Sequence, residues 1–528
     1  MTAVPMQINR AWFTRERKIA FAILTGALLL RLWDLNARSL WLDEAMEYWV
    51  AATPLRRLAA VVRDGIQDPP LYSFLLHFWM IPADNEMWLR LLSVFFGVAS
   101  VAGMMVIGHR LRGWTGAFTA GLLMGIVPTA VRYSQEVGQY APMQCFLVWS
   151  VVVLLGLVRE PSRGGFIRWG LLATAATYTY YGTVITVLAP FGCFLVEAAM
   201  RRDRRRLTGG IATLAAYGVA IVPLLVYYLP HQLKKGPTAG AFDPVELGSA
   251  QLELIRAWTT LKETIAFQFT GWPCCNTPAW LPIVLIVALI VLLGRTQRRL
   301  LVWFVAAWVA YAIMGRLRLF PFAYRYSIIL APLIVPLVAC SIRGDVHGLR
   351  RLASGLLFGI LCALCVVSLP NRTINNRLYG DGKCVWPETE DIGPVTRYWF
   401  EHRQPGQPTY VYYGAVPSFA YYYDHLSDEQ ESRPDNWYLD CWRNTDAPYC
   451  RTGDIFYGRW LRALPPAEKM ASIAETMSGM PPEFWMIFAH VQGQESILIG
   501  KMLMQDYMLA DQIARNDALA ILIRRRTP

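Results

Sequence analysis

The sequence predicts a polytopic α-helical membrane protein: about eleven transmembrane helices, juxtamembrane helices in the first outer loop, and a C-terminal extracytoplasmic α/β domain. Three observations carry that expectation. Of 528 residues, 55% are hydrophobic and 17% charged, far more apolar than a soluble chain of this length needs to be. Eleven apolar stretches of roughly 15–20 residues suit a ~30 Å hydrocarbon core; they lie near 19–33, 87–107, 116–131, 141–158, 168–181, 183–200, 208–229, 279–294, 300–315, 324–341 and 352–369. From residue 370 the chain becomes rich in Asp, Glu, Pro, Tyr and Gly and holds no further span. Residues 1–369 are therefore read as a transmembrane domain and 370–528 as a second, outer domain.

Residues 168–200 are one apolar run that a single helix would extend to ~50 Å, well beyond the core. Arg168 flanks one end and Arg201, Arg202 and Arg204–Arg206 the other. Positive flanks mark the cytoplasmic side, so the run crosses twice and turns at Tyr180-Tyr181-Gly182-Thr183. The same rule puts the amino terminus in the cytoplasm, with Arg10, Arg15, Arg17 and Lys18 before the first span, and arginines fill every second loop thereafter. Loops 34–86, 132–140, 230–278 and 316–325 then lie outside, with the carboxyl end. The first apolar stretch lacks a small-residue cleavage site, so it is expected to stay as an anchor in a bacterial inner membrane or an equivalent such as the endoplasmic reticulum. The formal charge of +12 is largely this orienting arginine, and no nucleic-acid site is read from it.

Loop 34–86 holds Leu40-Trp41-Leu42-Asp43-Glu44 and then Gln67-Asp68-Pro69-Pro70-Leu71-Tyr72. Thr53-Pro54 reads as a helix start, followed by Leu55, Leu58, Ala59 and Val62 at helical spacing. A second surface helix is expected from Leu71 to Met80. Two juxtamembrane helices would thus frame a cavity with Asp43 at its mouth, although Asp43 could instead N-cap a helix beginning near Glu44.

In the outer domain, 409–413, 484–488 and 518–523 read as strands, and 465–478 and 494–505 as helices. No G-x-G-x-x-G or Walker sequence is present. Tyr410, Tyr412, Tyr413 and Tyr421–Tyr423 could stack on sugars or fill the domain's own core. Cys145, Cys193, Cys340, Cys362 and Cys365 fall in spans, while Cys274, Cys275, Cys384, Cys441 and Cys450 face the oxidising side, with Cys441–Cys450 the first pairing to expect. The histidines, His490 included, show no metal-ligand spacing.

The order of first span, Leu-Trp-Leu-Asp-Glu, surface helices, Asp-Pro-Pro-Leu-Tyr and Arg90-Leu91-Leu92-Ser93 resembles the C-type (GT-C) integral membrane glycosyltransferase superfamily. The branch it is most similar to is that of protein O-mannosyltransferases and the lipid A aminoarabinose transferase. The second outer loop, Arg132-Tyr133-Ser134-Gln135-Glu136-Val137-Gly138-Gln139-Tyr140, matches as well, and so does Tyr324-Arg325-Tyr326. The chain departs from the pattern at Gly138, where the family usually has Arg, and at Asp68 and Tyr180, where it often has His.

The resemblance implies a GT-C fold and an inverting transfer of a sugar from a polyprenyl-phosphate donor to an acceptor hydroxyl at the outer face of the membrane. The acceptor would be a glycan, a lipid or a protein. Phosphate leaves without a general acid, so the essential group is a base for the acceptor proton, assigned to Asp43. Glu44 and Glu136 would hold sugar or acceptor hydroxyls. Arg325 and Tyr326 would stabilise the departing phosphate, with Asp68, Tyr72 and Tyr140 completing the substrate site. No cofactor is demanded, but a divalent cation shared by Asp43, Glu44 and Glu136 is compatible with the residues. A transporter or flippase of lipid-linked sugars is the alternative; it would place ionisable groups at mid-membrane on broken helices, whereas the acids here cluster at the outer edge. The outer domain is expected to cover the cavity and select the acceptor.

Overall fold

The computed structural model describes residues 10–65, 68–233, 268–269, 283–284, 287, 298–317, 324–341, 348–369, 390–427, 442, 449–461, 464–491 and 495–526. In chain order, α1 (Arg10–Leu32) precedes three short helices, α2 (Leu42–Ala52), α3 (Leu55–Gly65) and α4 (Leu71–Trp79). Then come α5 (Glu86–Ile126), α6 (Pro128–Tyr133), α7 (Tyr140–Arg159), α8 (Arg163–Thr179), α9 (Thr183–Met200) and α10 (Arg204–Ala220). A π turn at Leu224–Tyr228 leads to α11 (Leu229–Leu233), and α12 (Arg298–Arg316), α13 (Ala331–Ala339) and α14 (Leu349–Val367) follow. The described chain forms two compact units, one from Met1–Trp33, Arg90–Pro230 and Gly240–Val385, the other from Asp34–Leu89, His231–Ala239 and Trp386–Pro528.

Among the described residues, five helices are long and apolar enough to cross a membrane: Glu86–Ile126, Tyr140–Arg159, Thr183–Met200, Arg204–Leu233 and Arg298–Arg316. Most of the stretch expected at 279–294 lies outside the described residues. α5 is two helices joined at Arg112–Gly113, where Gly113 adopts φ +62°, a left-handed geometry that glycine enters without steric cost. Its arms pack back on each other through Gly108 and Gly116: a Cβ on Gly108 would lie 2.1 Å from the Gly116 carbonyl oxygen. That reversal separates the stretches read as 87–107 and 116–131.

The run at 168–200 also reverses. Tyr180 is extended at φ −158°, ψ 122° and ends α8. Past the turn, Trp169 stacks on Phe191 with ring centroids 3.7 Å apart, and Phe166 meets Phe194 at 6.4 Å, the pairing of two antiparallel helices. The loop back to α10 is closed by Asp203, whose carboxylate accepts from the Arg206 amide at 3.0 Å as an N-cap. At the end of α1, the buried Arg31 donates to Ser134 Oγ (3.2 Å) and to the carbonyls of Ala27, Gly125 and Met124, so this cation is satisfied by protein oxygens as burial requires.

The second unit contains a six-stranded sheet in the order β2-β3-β1-β4-β6-β5, with β1 (Thr409–Val411), β2 (Tyr449–Thr452), β3 (Ile455–Gly458), β4 (Glu483–Ala489), β5 (Tyr507–Arg515) and β6 (Ala518–Arg525). β1 runs parallel to β3 and β4, and the remaining pairings are antiparallel. Helices α15 (Ile392–His402), α16 (Val416–Leu426), α17 (Pro466–Ser478) and α18 (Glu495–Asp506) belong to the same unit. The strands and helices read from the sequence coincide with β1, β4, β6, α17 and α18; β2, β3, β5, α15 and α16 were not anticipated. Tyr410, Tyr412, Tyr413, Phe484, Met486 and Phe488 are buried in one apolar core, so the first three tyrosines of the aromatic run pack the domain and are closed to sugar. Cys450 is disulfide-bonded; Cys441, its expected partner, lies outside the described residues.

Candidate active site

α2 starts at Leu42, with Trp41 extended in the capping position at φ −85°, ψ 175°. Asp43 is therefore the second residue of the helix and does not N-cap it, contrary to the alternative read from the sequence. An acid in the first turn is favoured by the helix dipole, and Asp43 is half-buried there. Glu44, expected at substrate, is 2% exposed and turned back toward the helix start, its Oε2 3.5 Å from the Trp41 amide. Thr53 closes α2, donating to the Trp49 carbonyl at 3.3 Å, and does not open α3, which begins after Pro54.

Glu47 stands one turn after Asp43 on the same face of α2; the sequence reading missed it. It is buried, and its Oε2 has no hydrogen-bond partner among the described residues. Burial, then the charges of Asp68 and Asp43, push its carboxyl well above the usual range. Asp43 and Asp68 thus both bear on Glu47. Asp68 is held by its backbone: Gln232 Nε2 donates to its carbonyl at 3.0 Å and to that of Val62 at 3.2 Å. Tyr72, the second residue of α4, is buried.

The approach to α2 is fixed by residues far along the chain. Tyr422 OH accepts from the Leu40 amide at 2.7 Å, Ser39 Oγ from the Gly393 amide at 3.0 Å, and Glu390 Oε2 from the Leu42 amide at 3.1 Å. Trp49 Nε1 donates to the Pro417 carbonyl at 2.9 Å, and Tyr48 packs edge-on to Tyr421 at 4.8 Å. Glu390 is fully buried and pairs through Oε1 with His490 Nδ1 at 2.6 Å. Glu390, His490 and Asp517 bring three donor atoms within 4.8 Å of one another, the one cluster among the described residues with the closeness of a metal site. Both Glu390 oxygens are already engaged, so the arrangement here is a hydrogen-bonded network. Adjacency of the pair Asn516-Asp517 between two strands is a hairpin-turn signal, but nothing in sequence spacing announces His490 or Glu390.

The other expected residues belong to the first unit. Glu136 forms a buried ion pair with Arg132 at 2.9 Å. Tyr140 packs against Tyr133 and Tyr180 at 4.6 and 5.8 Å. Gln135 Nε2 donates to the carbonyls of Arg31 and Trp33 at 3.1 and 2.8 Å, tying this loop to the end of α1. Tyr326 is half-buried in a 3₁₀ turn; the Arg325 side chain lies outside the described residues.

The sequence matches the family model described as dolichyl-phosphate-mannose-protein mannosyltransferase over residues 67–228. Among solved structures, apo ArnT from Cupriavidus metallidurans is similar with a TM-score of 0.55 at 12% identity, over 95% of this chain and 97% of that one. The chain has the C-type glycosyltransferase fold. ArnT bound to undecaprenyl phosphate gives 0.53 at 11% identity over the same shares of the two chains. The oligosaccharyltransferase AglB from Archaeoglobus fulgidus, in complex with an inhibitory peptide and a dolichol-phosphate, matches at 0.44 and 13% identity over 77% of this chain. This chain spans 64% of AglB's length. No curated protein sequence matches it significantly. The resemblance drawn from the loop motifs to the C-type glycosyltransferases holds, and with it the reading of an integral membrane protein.

Proposed function

We propose that this protein moves a sugar from a polyprenyl-phosphate carrier to an acceptor hydroxyl at the outer face of the membrane, with Asp43 as general base. The observation that carries the reading is the half-buried Asp43 in the first turn of α2, whose charge, with that of Asp68, bears on the buried Glu47 one turn along the same helix. The matched family is named for a dolichyl-phosphate donor, and one ArnT structure holds undecaprenyl phosphate; both support the donor class. The acceptor oxygen attacks the anomeric carbon as its proton passes to the Asp43 carboxylate. The bond from that carbon to the phosphate oxygen breaks, and polyprenyl phosphate leaves with the electron pair.

Asp68 and Tyr72 would orient the substrate beside Asp43. On the resemblance, Glu136 and Tyr140 would contact the sugar, and Arg325 with Tyr326 would stabilise the charge growing on phosphate. Residues 370–528 would lie on the same outer side and select the acceptor. Asp43→Asn is expected to lower turnover about 10²–10⁴-fold with folding and lipid binding intact. Turnover is read by mass spectrometry of the lipid-linked sugar that accumulates when the protein is removed. A variant that clears that sugar as fast as the parent ends the proposal. Loss of lipid translocation in a system without any acceptor would favour a flippase.

A further inference from the structure

Helix starts leave backbone amides without intrahelical partners, and a Ser, Thr, Asp or Asn in the capping position normally accepts from them. In α2 that position is Trp41, which has no side-chain acceptor, and Glu44 reaches back only to 3.5 Å. The acceptor for the first helical amide comes instead from Glu390, 3.1 Å from Leu42 N, the residue next to Asp43.

Glu390 has little freedom to move. It is fully buried, and His490 holds its second oxygen at 2.6 Å. His490 and Asp517 reach the cluster from left-handed backbone, at φ 55° and 45°, a conformation that costs free energy in residues other than glycine. The Asp391 amide also donates to the Asn516 carbonyl at 2.9 Å, clasping the strand-turn that carries Asp517 onto the segment that carries Glu390. Burial raises the Glu390 carboxyl, and the contacts with His490 and the Leu42 amide pull it back.

We infer that Glu390, backed by His490 and Asp517, is a positioning residue for Asp43: it supplies the missing cap of α2 from the C-terminal segment and so fixes the direction of the base. The inference rests on the function proposed above. Under it Glu390 acts in the chemistry without touching substrate, through the start of α2.

The test uses the full chain in lipid nanodiscs and in cells that lack the parent gene. Glu390→Ala is expected to speed hydrogen exchange of the Leu42–Ala45 amides about tenfold and to slow clearance of the accumulated lipid-linked sugar about 10²-fold, the effect of a small misplacement of a catalytic group. Glu390→Gln keeps an acceptor for Leu42 and is expected to restore both. Unchanged exchange and clearance in the folded alanine variant overturn the inference, and so does a glutamine variant as impaired as the alanine one. Should Glu390→Ala not fold, His490→Gln takes its place: faster first-turn exchange supports the inference and unchanged exchange overturns it. If removing the wild-type protein leaves no lipid-linked sugar behind, the transfer reading fails, and amide exchange alone then decides the positioning role.

Discussion

Two buried glutamates of the second unit are treated in opposite ways. Glu495, at the start of α18, receives Lys469 Nζ at 2.6 Å, Tyr413 OH at 2.9 Å and the Tyr412 hydroxyl. Burial raises its carboxyl, but those partners together hold it below the usual range. Glu47, on α2, has two carboxylates for neighbours and an oxygen with no partner among the described residues. The first arrangement is what burial of a charge demands when it serves the fold. The second works against stability, and perturbed acids of that kind gather where chemistry is done. The difference separates a carboxylate that ties the sheet's helices together from a group assembled around Asp43.

The largest effect should come from stripping Glu495 of its cation. Lys469→Met leaves a buried carboxylate with only hydroxyl partners and is expected to cost about 3–5 kcal/mol, read as a lower unfolding transition, while transfer per folded molecule stays unchanged. The parent should show the matching pH response. Because the folded-state value of Glu495 is depressed, its contribution is present above the ordinary glutamate range and fades as pH falls through the folded value; the methionine variant should lack that acid-side fall. Equal transitions for variant and parent would mean that Glu495 is no structural anchor. A smaller effect is expected at the other site. Asp68→Asn removes one of the two charges facing Glu47 and should raise the substrate KM about tenfold, roughly the worth of one hydrogen bond to a charged group, with little change in kcat. A loss confined to kcat would instead move Asp68 into the chemical step.

How much of this was legible follows the range of the contacts involved. Asp43 could be found because an acidic pair set among Leu40, Trp41 and Leu42 conflicts with its apolar surroundings, and that conflict is local. Glu47 was equally open to view, since i,i+4 spacing places it on the face of Asp43, but an isolated Glu in a helix is an ordinary solvent-facing residue until its burial is known. The Glu390–His490–Asp517 network could not be read, because Glu390 lies a hundred or more residues before the other two and the three meet only through the β4–β6–β5 arrangement and the left-handed turns at the ends of those strands. Helix α16 was hidden for another reason. Its Tyr421-Tyr422-Tyr423 run has aromatic, strand-like propensity, and tertiary contacts override it: Tyr421 OH donates to the Asp84 carbonyl at 3.0 Å while Tyr422 OH accepts from Leu40. The hairpin at Arg112–Gly113 was legible from the charged break between two apolar stretches, and that at Tyr180–Gly182 from arginines at both outer ends of an apolar run too long for one crossing.

The smallest effect, and the one that tests the contrast most directly, is Glu47→Gln. A raised carboxyl means that the folded chain holds a proton the unfolded chain has already released. Its contribution is therefore favourable while Glu47 stays protonated and is lost as pH climbs from the ordinary glutamate range through the folded value. Glutamine keeps the shape of the protonated acid and cannot ionise, so the variant should match the parent at acid pH and exceed it above neutrality by on the order of 1 kcal/mol. The titratable groups that drive this are Asp68 and Asp43, the two charges that bear on Glu47. Adding Asp68→Asn should accordingly shrink the gain. Thermal transitions measured from acid to alkaline pH separate the outcomes: curves that diverge above neutrality show Glu47 ionising in the folded chain against the charges of Asp68 and Asp43. Curves that coincide throughout would mean that solvent already screens the three acids, leaving Asp43 an ordinary first-turn carboxylate.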